Sequence, residues 1–425
     1  LSRFGIEEPL EYTDEVLHEI GRWSAHTQQL TNNIDSAYQH FTLEQHDIFH
    51  IFVRAVQEGI PLFAFIDGKA GRGKTFLIDA IISYVRSIGK IAIVTATSAF
   101  AALLNLPFGG KIFACAGDFR QTCPVIRRGS KPQIIDASIR SSPLWDTFQV
   151  MRLSIPIRNA SDPAFADHVD LIGDGAGPQV QIPFLGRVFT VEDAITFLYP
   201  PHILIEPIAC LRRSILAPTN KQVDAYNDFV LDLLEGDEKL FYSADSLKEA
   251  DEMDVVAPGA ALDYAMRYPP PGLPSYALRI KVGGVYRLMR NLSIDKGLVK
   301  NTRCVINAIG LRVISVKLLK QNVSGEAYSD EDILIPRISF TASLPSSKYT
   351  LVRKQFPLAP AYATTFNSCQ GLTLDKVVID LTQPVFSHGQ LYTALSRVRH
   401  RDHAKVRLNA GDTEVVNVTF HELLI

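Results

Sequence analysis

Gly68-Lys69-Ala70-Gly71-Arg72-Gly73-Lys74-Thr75 fits the spacing G-x-x-x-x-G-K-[ST]. The apolar run Leu62–Ile66 ahead of it has the length of a buried parallel strand. Behind it, Leu77, Ile78, Ile81, Ile82 and Val85 recur at helical spacing, and Gly89 can end the helix. Strand, glycine loop and helix is the order a phosphate-binding loop requires. Glycines let backbone N–H groups reach phosphate oxygens where a side chain would stand in the way, and the helix N-terminus adds partial positive charge. Lys69, Ala70 and Arg72 fill the variable positions of that cradle. Lys74 has the reach for the β- and γ-phosphates, and the Thr75 hydroxyl is placed to ligate Mg²⁺. A glycine-rich turn with a chance lysine would not carry both flanks. The stretch predicts a nucleoside-triphosphate site.

Composition narrows the class. The 425 residues leave room for two or three domains at roughly 100–200 residues each. Hydrophobic residues make 47% and charged residues 21%, ordinary for a soluble globular chain. The net charge of −2 gives no overall basic signal, so nucleic-acid contacts must come from local patches. Cys115, Cys123, Cys210, Cys304 and Cys369 form no C-x-x-C pair, which argues for reduced thiols inside a cell and against a zinc site or disulfide framework. No apolar run reaches the ~18 residues of a membrane span. The chain opens at Leu1 without methionine, signal peptide or basic leader, as a piece of a longer protein would.

Residues 1–40 are mixed and polar and read as a loosely packed leader. A clearer helix opens at Phe41-Thr42-Leu43-Glu44-Gln45, with Ile48, Phe49, Phe52, Val53 and Val56 on one face and Gly59 at its end. Thr42 and Gln45 have capping-box spacing, but a glutamine one helix ahead of a P-loop can also bond adenine, and both roles stay open. Ile91–Thr95 and Lys111–Ala116 read as further buried strands, with Ala96–Leu104 a polar loop opening a helix. Gln121 follows the second of these strands, where a side chain can sense a γ-phosphate. Strands alternating with helices predict a parallel α/β sheet with its ligand at the carboxyl ends. Met151–Arg158 is expected to start a second half, with Ile215–Asn220 as a later strand and turn. Glu235–Asp254 reads as a solvated acidic loop, and Pro269–Gly272 as a boundary. Residues 277–340 carry short alternating strands, a small antiparallel β unit, before parallel texture returns at Lys376–Leu381.

Together these blocks resemble superfamily 1 DNA helicases of the Pif type, in particular the branch carried by Helitron transposons. The resemblance implies an α/β fold of two P-loop (RecA-like) parallel-sheet domains with a small inserted antiparallel β unit. Residues 1–40 would be the leader, 41–150 the first domain, 151–276 with 341–425 the second, and 277–340 the insertion. By the same resemblance Gln45 reads adenine, Gly68–Thr75 is the first motif, and Thr97 and Ser98 touch single-stranded DNA. Gly117–Gln121 is the motif whose Gln121 couples the γ-phosphate to DNA. Ala363–Leu374 is a Q-G-x-T block with Gln370 on DNA, and Tyr392–Arg397 supplies an arginine finger. Arg158 falls where the family keeps an arginine facing ATP from the second domain. Lys74, Thr75 and Gln121 would form one wall of an ATP·Mg²⁺ site, and Arg158 with Arg397 the other. Outside that context Arg397 reads as a surface charge. Lys281, Arg287, Arg290, Arg303 and Arg312 line a strand-binding channel or make an ordinary solvated β surface. The implied activity is ATP-dependent, 5′-to-3′ unwinding of duplex DNA from a single strand, with roles in DNA repair, recombination and telomere maintenance and a nuclear location.

The sequence departs from the family in two places. The family carries an Asp-Glu pair on a strand between those at Ile91–Thr95 and Lys111–Ala116, where the acids hold Mg²⁺ and orient the attacking water. Here no residue between those strands is acidic, and Leu103-Leu104-Asn105-Leu106-Pro107 joins two family-like segments directly. The expectation is a chain that keeps ATP binding but loses water activation, with neighbouring strands left unpaired. On that reading it is a binding relic of a motor. Asn367-Ser368-Cys369-Gln370 also lacks the basic residue common in the family at this point, which weakens phosphate contact.

Overall fold

The computed structural model describes residues 20–93, 111–124, 126, 129–249, 272–293, 296–322, 325–329, 331–344, 349–372 and 374–425. The chain divides into two compact units. The first is Leu1–Pro178 with Ser387–Tyr392 and Val418–Ile425; the second is Gln179–Phe386 with Thr393–Asn417.

In the first unit, α1 (Thr27–Gln39) and α2 (Leu43–Glu58) precede the first strand. Thr42 and Gln45 form the expected capping box, and Gly59 ends α2 with a left-handed φ of 68°. Ile48, Phe49, Phe52 and Val56 fall on the inner face of α2, as their helical spacing requires. β1 (Phe63–Gly68), α3 (Lys74–Ser87), β2 (Phe113–Gly117), β3 (Gln149–Leu153) and α4 (Pro163–Gly173) follow. The sheet order is β2-β1-β3, all parallel, with Ala64 beside Ala114 on one side and Gln149 on the other. Ala64 and Ile66 of β1 share a core with Phe52, Leu77, Ile81, Met151 and Leu153.

Three expectations change here. A domain boundary between residues 150 and 151 would cut β3, whose Met151 and Leu153 belong to the first core, and the chain leaves this unit only after Pro178. The leader is not all loose, because α1 buries Leu30 and Ala37 and sets Ile34 on that core. Ile91–Ile93 form no strand, and Ile93 is 83% exposed. A parallel strand needs a neighbour to bond, and among the described residues β2 bonds only β1. Val94–Thr95, Ala96–Leu104 with Thr97 and Ser98, and the Asn105–Leu106 junction lie outside the described residues.

The second unit opens with β4 (Gln179–Gln181), β5 (Gly186–Val188), α5 (Val191–Leu198), β6 (Arg213–Ala217) and α6 (Asn220–Leu233). Its antiparallel strands are β7 (Glu238–Tyr242), β8 (Ala244–Glu249), β9 (Ala277–Lys281), β10 (Val285–Leu288), β11 (Arg303–Ile309), β12 (Val313–Asn322), β13 (Gly325–Tyr328), β14 (Ile333–Pro336), β15 (Ile338–Ser343), β16 (Tyr349–Gln355) and β17 (Leu358–Pro360). Then come β18 (Ala363–Thr365), β19 (Lys376–Asp380), β20 (Ala404–Arg407) and β21 (Glu414–Val416). A parallel sheet runs β18-β6-β19-β20-β5. The antiparallel sheet runs β13-β12-β11-β10-β17 with β14 on β12, beside a β15-β16-β8 sheet and a β7-β9 pair.

The β unit therefore exceeds the expected 277–340. The stretch read as a solvated acidic loop supplies β7 and β8, since Phe241 turns inward and both strands find partners. Nor is the β unit separate from the parallel sheet. Val285, Tyr286, Cys304 and Ile314 share one core with Ile215, Ala217, Val230 and Val378. Asn227 of α6 accepts from the Tyr362 and Ala363 amides, and the Tyr362 hydroxyl accepts from Val285 N–H, so polar groups in that core are paired. Pro269–Pro271 lie outside the described residues, and no helix among those described is long and apolar enough to cross a membrane.

Two tests follow from buried polar groups. Arg353 and Asp245, 0% and 1% exposed, meet in a bidentate pair with the closest contact at 2.6 Å, and Arg353 also donates to the Pro274 carbonyl. Arg353→Met strands a buried carboxylate and is expected to cost about 3–5 kcal/mol in urea unfolding. Arg353→Met with Asp245→Leu should recover much of that loss. Equal stability of the single variant and the parent would refute the assignment.

His388 is buried in the first unit, with Nε2 2.7 Å from the Phe119 carbonyl and Nδ1 accepting from Phe420 N–H at 2.8 Å. A carbonyl only accepts and an amide N–H only donates, so the ring is neutral with its proton on Nε2. Burial lowers its pKa, against the opposing pull of the Phe119 carbonyl and Asp118. The unfolded chain then takes up this proton more readily than the folded one. The stabilisation is present above the unfolded value of roughly 6.5 and is lost as pH falls through the lower folded value. Melting temperature should drop less steeply with acidification in His388→Gln than in the parent; parallel slopes would contradict this.

Candidate nucleotide site

β1 delivers the glycine loop at its carboxyl end, and α3 begins at Lys74. Gly71 and Gly73 hold φ of 76° and 79°, which glycine alone adopts freely. Space enforces the same choice. A Cβ on Gly71 would stand 2.5 Å from the Arg158 Cβ, and one on Gly73 would stand 2.5 Å from Gln45 Nε2 and 2.9 Å from Ile157 Cδ1. The Gly71 carbonyl accepts from the Ile157 and Arg158 amides at 3.1 and 3.0 Å. Arg158 thus belongs to the same unit as the P-loop, correcting the expectation that it faces the site from the second domain. β3 is a neighbour of β1, and the turn after it lies against the loop.

Gln45 is fully buried, and its amide has two jobs. Oε1 accepts from Thr42 N–H at 3.0 Å, while Nε2 points at the Gly73 and Arg72 carbonyls at 3.4 and 3.5 Å. Lys74 Nζ donates to the Gly68 carbonyl and, at 3.1 Å, to that of Lys69. Thr75 is exposed in the first turn of α3.

The basic residues around the loop are matched by acids one helical turn apart. Lys69 pairs with Asp174 at 2.7 Å and Asp170 at 3.3 Å, and Arg72 with Asp170 at 2.6 Å. Arg120, from the Gly117–Gln121 motif, reaches Asp174 at 2.6 Å. Burial pushes both carboxyls up. Hydrogen bonds from Lys69 and Arg120 outweigh it at Asp174, which ends below the usual range, whereas Asp170 ends above it.

One hydroxyl ties the two motifs together. Tyr392 OH accepts from Ala70 N–H at 2.9 Å and donates to Asp118 at 3.0 Å, and Asp118 also accepts from Gln121 Nε2 at 2.9 Å. The structure therefore brings together Gln45, Gly68 to Thr75, Gln121 and Arg158. Tyr392, Arg120, Asp170 and Asp174 join them without having been assigned. The spacing of Asp170 and Asp174 by four on a helical stretch was the available signal.

Two of the nearby acids are occupied. Glu44 accepts from the Ser154 and Ile155 amides. Asp118 is bonded as above. Asp67, at the end of β1, keeps a buried Oδ1 without a hydrogen-bond partner, 3.8 Å from a similarly unpartnered Arg120 Nη1. Burial raises its carboxyl pKa, Arg120 lowers it, and the charge of Asp118 raises it further. Among the described residues, no three acids, histidines or cysteines converge as a metal centre.

Two expected residues lie in the second unit. Gln370 is exposed. Arg397 is buried, not a surface charge: Nε donates to the Thr393 carbonyl at 2.9 Å, Nη1 to that of Leu372 at 3.3 Å, and Nη2 to Ser396 Oγ at 2.8 Å. Of the β-unit cations, Lys281 is buried against the Leu231 carbonyl, and Arg303 donates to the Cys210, Leu211 and Arg213 carbonyls. Those two hold the fold together.

The PIF1-like helicase family model matches residues 40–106 and 104–181. ATP-dependent DNA helicase PIF1 of Danio rerio is 27% identical over 308 residues, covering 71% of this chain and 41% of that protein. The chain spans about two fifths or less of the first curated relatives it matches. The crystal structure of Pif1 helicase from Candida albicans superposes with a TM-score of 0.56 at 20% identity, covering 86% of this chain and 94% of that one. Pif1 helicase from Bacteroides in complex with ADP-AlF3 and ssDNA gives 0.55 at 17% identity, covering 90% and 94%. The shared fold is the α/β fold of those helicases. The chain is similar in sequence to the PIF1-like helicase model over residues 40–181, and it shares the fold of the Pif1 structures over most of its length.

Proposed function

We propose that the chain is the motor core of a Pif-type DNA helicase, which uses ATP and Mg²⁺ to move 5′-to-3′ on single-stranded DNA and part the duplex. The observation that carries this is the Ala70–Tyr392–Asp118 bridge. A hydroxyl linking the P-loop to the motif of Gln121 lets a change at the phosphates reach a residue that senses them. Thr75, exposed at the start of α3, would hold the Mg²⁺ of the nucleotide. For Gln45 to read adenine, its Nε2 must give up the Arg72 and Gly73 carbonyls. For Arg397 to act as a finger, its guanidinium must leave the Thr393 and Leu372 carbonyls. Roles in repair, recombination and telomere maintenance, the nuclear location and Helitron ancestry belong to the same family reading.

The alternative reading is a relic of that motor, which binds ATP and turns it over poorly; the junction at Asn105–Leu106 favours it. The two family matches meet at residues 104–106, where Asn105 joins Leu106. No acid occurs between Asp79 and Asp118, and Glu44 and Asp118 are held by other groups. Among the described residues Asp67 alone keeps an unbonded carboxylate oxygen near the loop, and a single buried acid beside Arg120 does not make the pair that would orient the attacking water.

Nucleotide binding survives this loss, because the phosphate contacts are local. Lys74→Ala should weaken binding of a fluorescent ATP analogue at least tenfold, since a charge-assisted hydrogen bond contributes about 1.5–3 kcal/mol. Equal affinities would remove the P-loop from the site.

The impairment has its own test. Inserting a strand with an Asp-Glu pair between Asn105 and Leu106 is expected to start DNA-stimulated ATP hydrolysis and to raise the melting temperature together. Unwinding by the present chain at the rate of the restored one would show that another group does this work.

A further inference from the structure

A cleft in the second unit is lined by Arg287, Asn301, Arg303, Thr364, Ser368 and neighbouring apolar groups. It holds two guanidinium groups, and no carboxylate lines it among the described residues. Arg303 is committed to three backbone carbonyls. Arg287 is not so committed. It donates from Nη1 to Asn301 Oδ1 at 3.0 Å, and its Nε is buried without a hydrogen-bond partner. Asn301 is the one non-glycine residue with positive φ among those described, at 71°. Asparagine tolerates that conformation better than most residues, and here it aims the side chain that steadies Arg287. Burial and the charge of Arg303 both depress the Arg287 pKa, and Asp224 of α6 is the acid that opposes them. On the facing side, Thr364 is buried, and the Ser368 hydroxyl accepts from Thr365 Oγ1 at 3.0 Å, leaving its own proton to donate.

A cation held beside a second cation, with a buried donor unmet, has its charge offset best by an oxyanion with several acceptor oxygens. We infer that this cleft binds one phosphodiester group of a single-stranded nucleic acid, with Arg287 as the principal donor. The inference rests on the reading of the chain as a DNA motor, and it adds a contact outside the P-loop unit.

The test is binding of labelled oligothymidylate to the full chain, read by fluorescence anisotropy across a salt series. Arg287→Gln is expected to weaken binding roughly tenfold and to reduce the slope of log affinity against log salt by about 0.7, the loss of one single-strand phosphate contact. Arg287→Lys should keep the slope and lose affinity, because the charge stays while the planar fork goes. Asn301→Gly keeps the left-handed backbone and removes only the anchor. It should weaken binding at an unchanged melting temperature, and it carries the test if Arg287→Gln melts early. Unchanged affinity and slope in Arg287→Gln would overturn the inference. It is also overturned if inorganic phosphate raises the melting temperature through Arg287 while oligonucleotide binding ignores that residue, since the cleft then takes a free anion. A parent chain that binds ATP but no oligonucleotide overturns the cleft and leaves the P-loop reading intact. Arg287-dependent oligonucleotide binding without ATP binding does the reverse.

Discussion

The Gly71 carbonyl accepts two backbone hydrogen bonds, from the Ile157 and Arg158 amides, and this pair of hydrogen bonds fixes how the glycine loop leaves β1. It can form only because β3 lies beside β1, so that the turn after β3 emerges next to the loop. Gln45 closes the other side through Gly73. The loop is clamped by two segments far from it in sequence, with no room for a side chain at either glycine. Pre-organised amides of this kind lose little freedom when a phosphate arrives.

Charge follows the same arrangement. Lys69, Arg72 and Arg120 converge on Asp170 and Asp174, so cations of the loop and of the Gly117–Gln121 motif are held at the end of α4. A triphosphate brings charge that competes with those two carboxylates. Asp67 is the exception, with a buried oxygen and no donor within hydrogen-bonding distance. Such a group is costly unless something meets it, and Arg120 stands too far off to do so fully.

The P-loop with its flanking strand and helix was legible because pattern and local structure coincide: glycine spacing, the apolar strand and helical periodicity depend on neighbours in sequence. The capping box of Thr42 and Gln45 was legible for the same reason. What sequence reading mistook depends on long-range pairing. Met151 looked like the start of a new half, yet its strand completes the first sheet. The acidic composition of 238–249 suggested a loop, while β9 and β16, distant in sequence, make strands of it. Arg158 was placed on the wrong wall because a motif's order along the chain does not say which sheet it joins. Tyr392 stood inside a quoted block, but nothing local to it tells that its hydroxyl reaches Ala70 and Asp118.

The first unit is not continuous in the chain, and its last pieces come from residues 387–392 and 418–425. They are not ornamental. Arg140 donates to the Glu422 and Leu424 carbonyls, Lys131 pairs with Glu422 at 2.8 Å, and His388 bridges Phe119 and Phe420. During synthesis the P-loop emerges before these braces, which are made hundreds of residues later, those from residues 418–425 only after the whole second unit has been threaded out. Contacts of such long separation are slow to close, and until they do the motif around Asp118 lacks its tyrosine. The nascent chain therefore carries the glycine loop well before it carries the connection between that loop and the motif of Asp118.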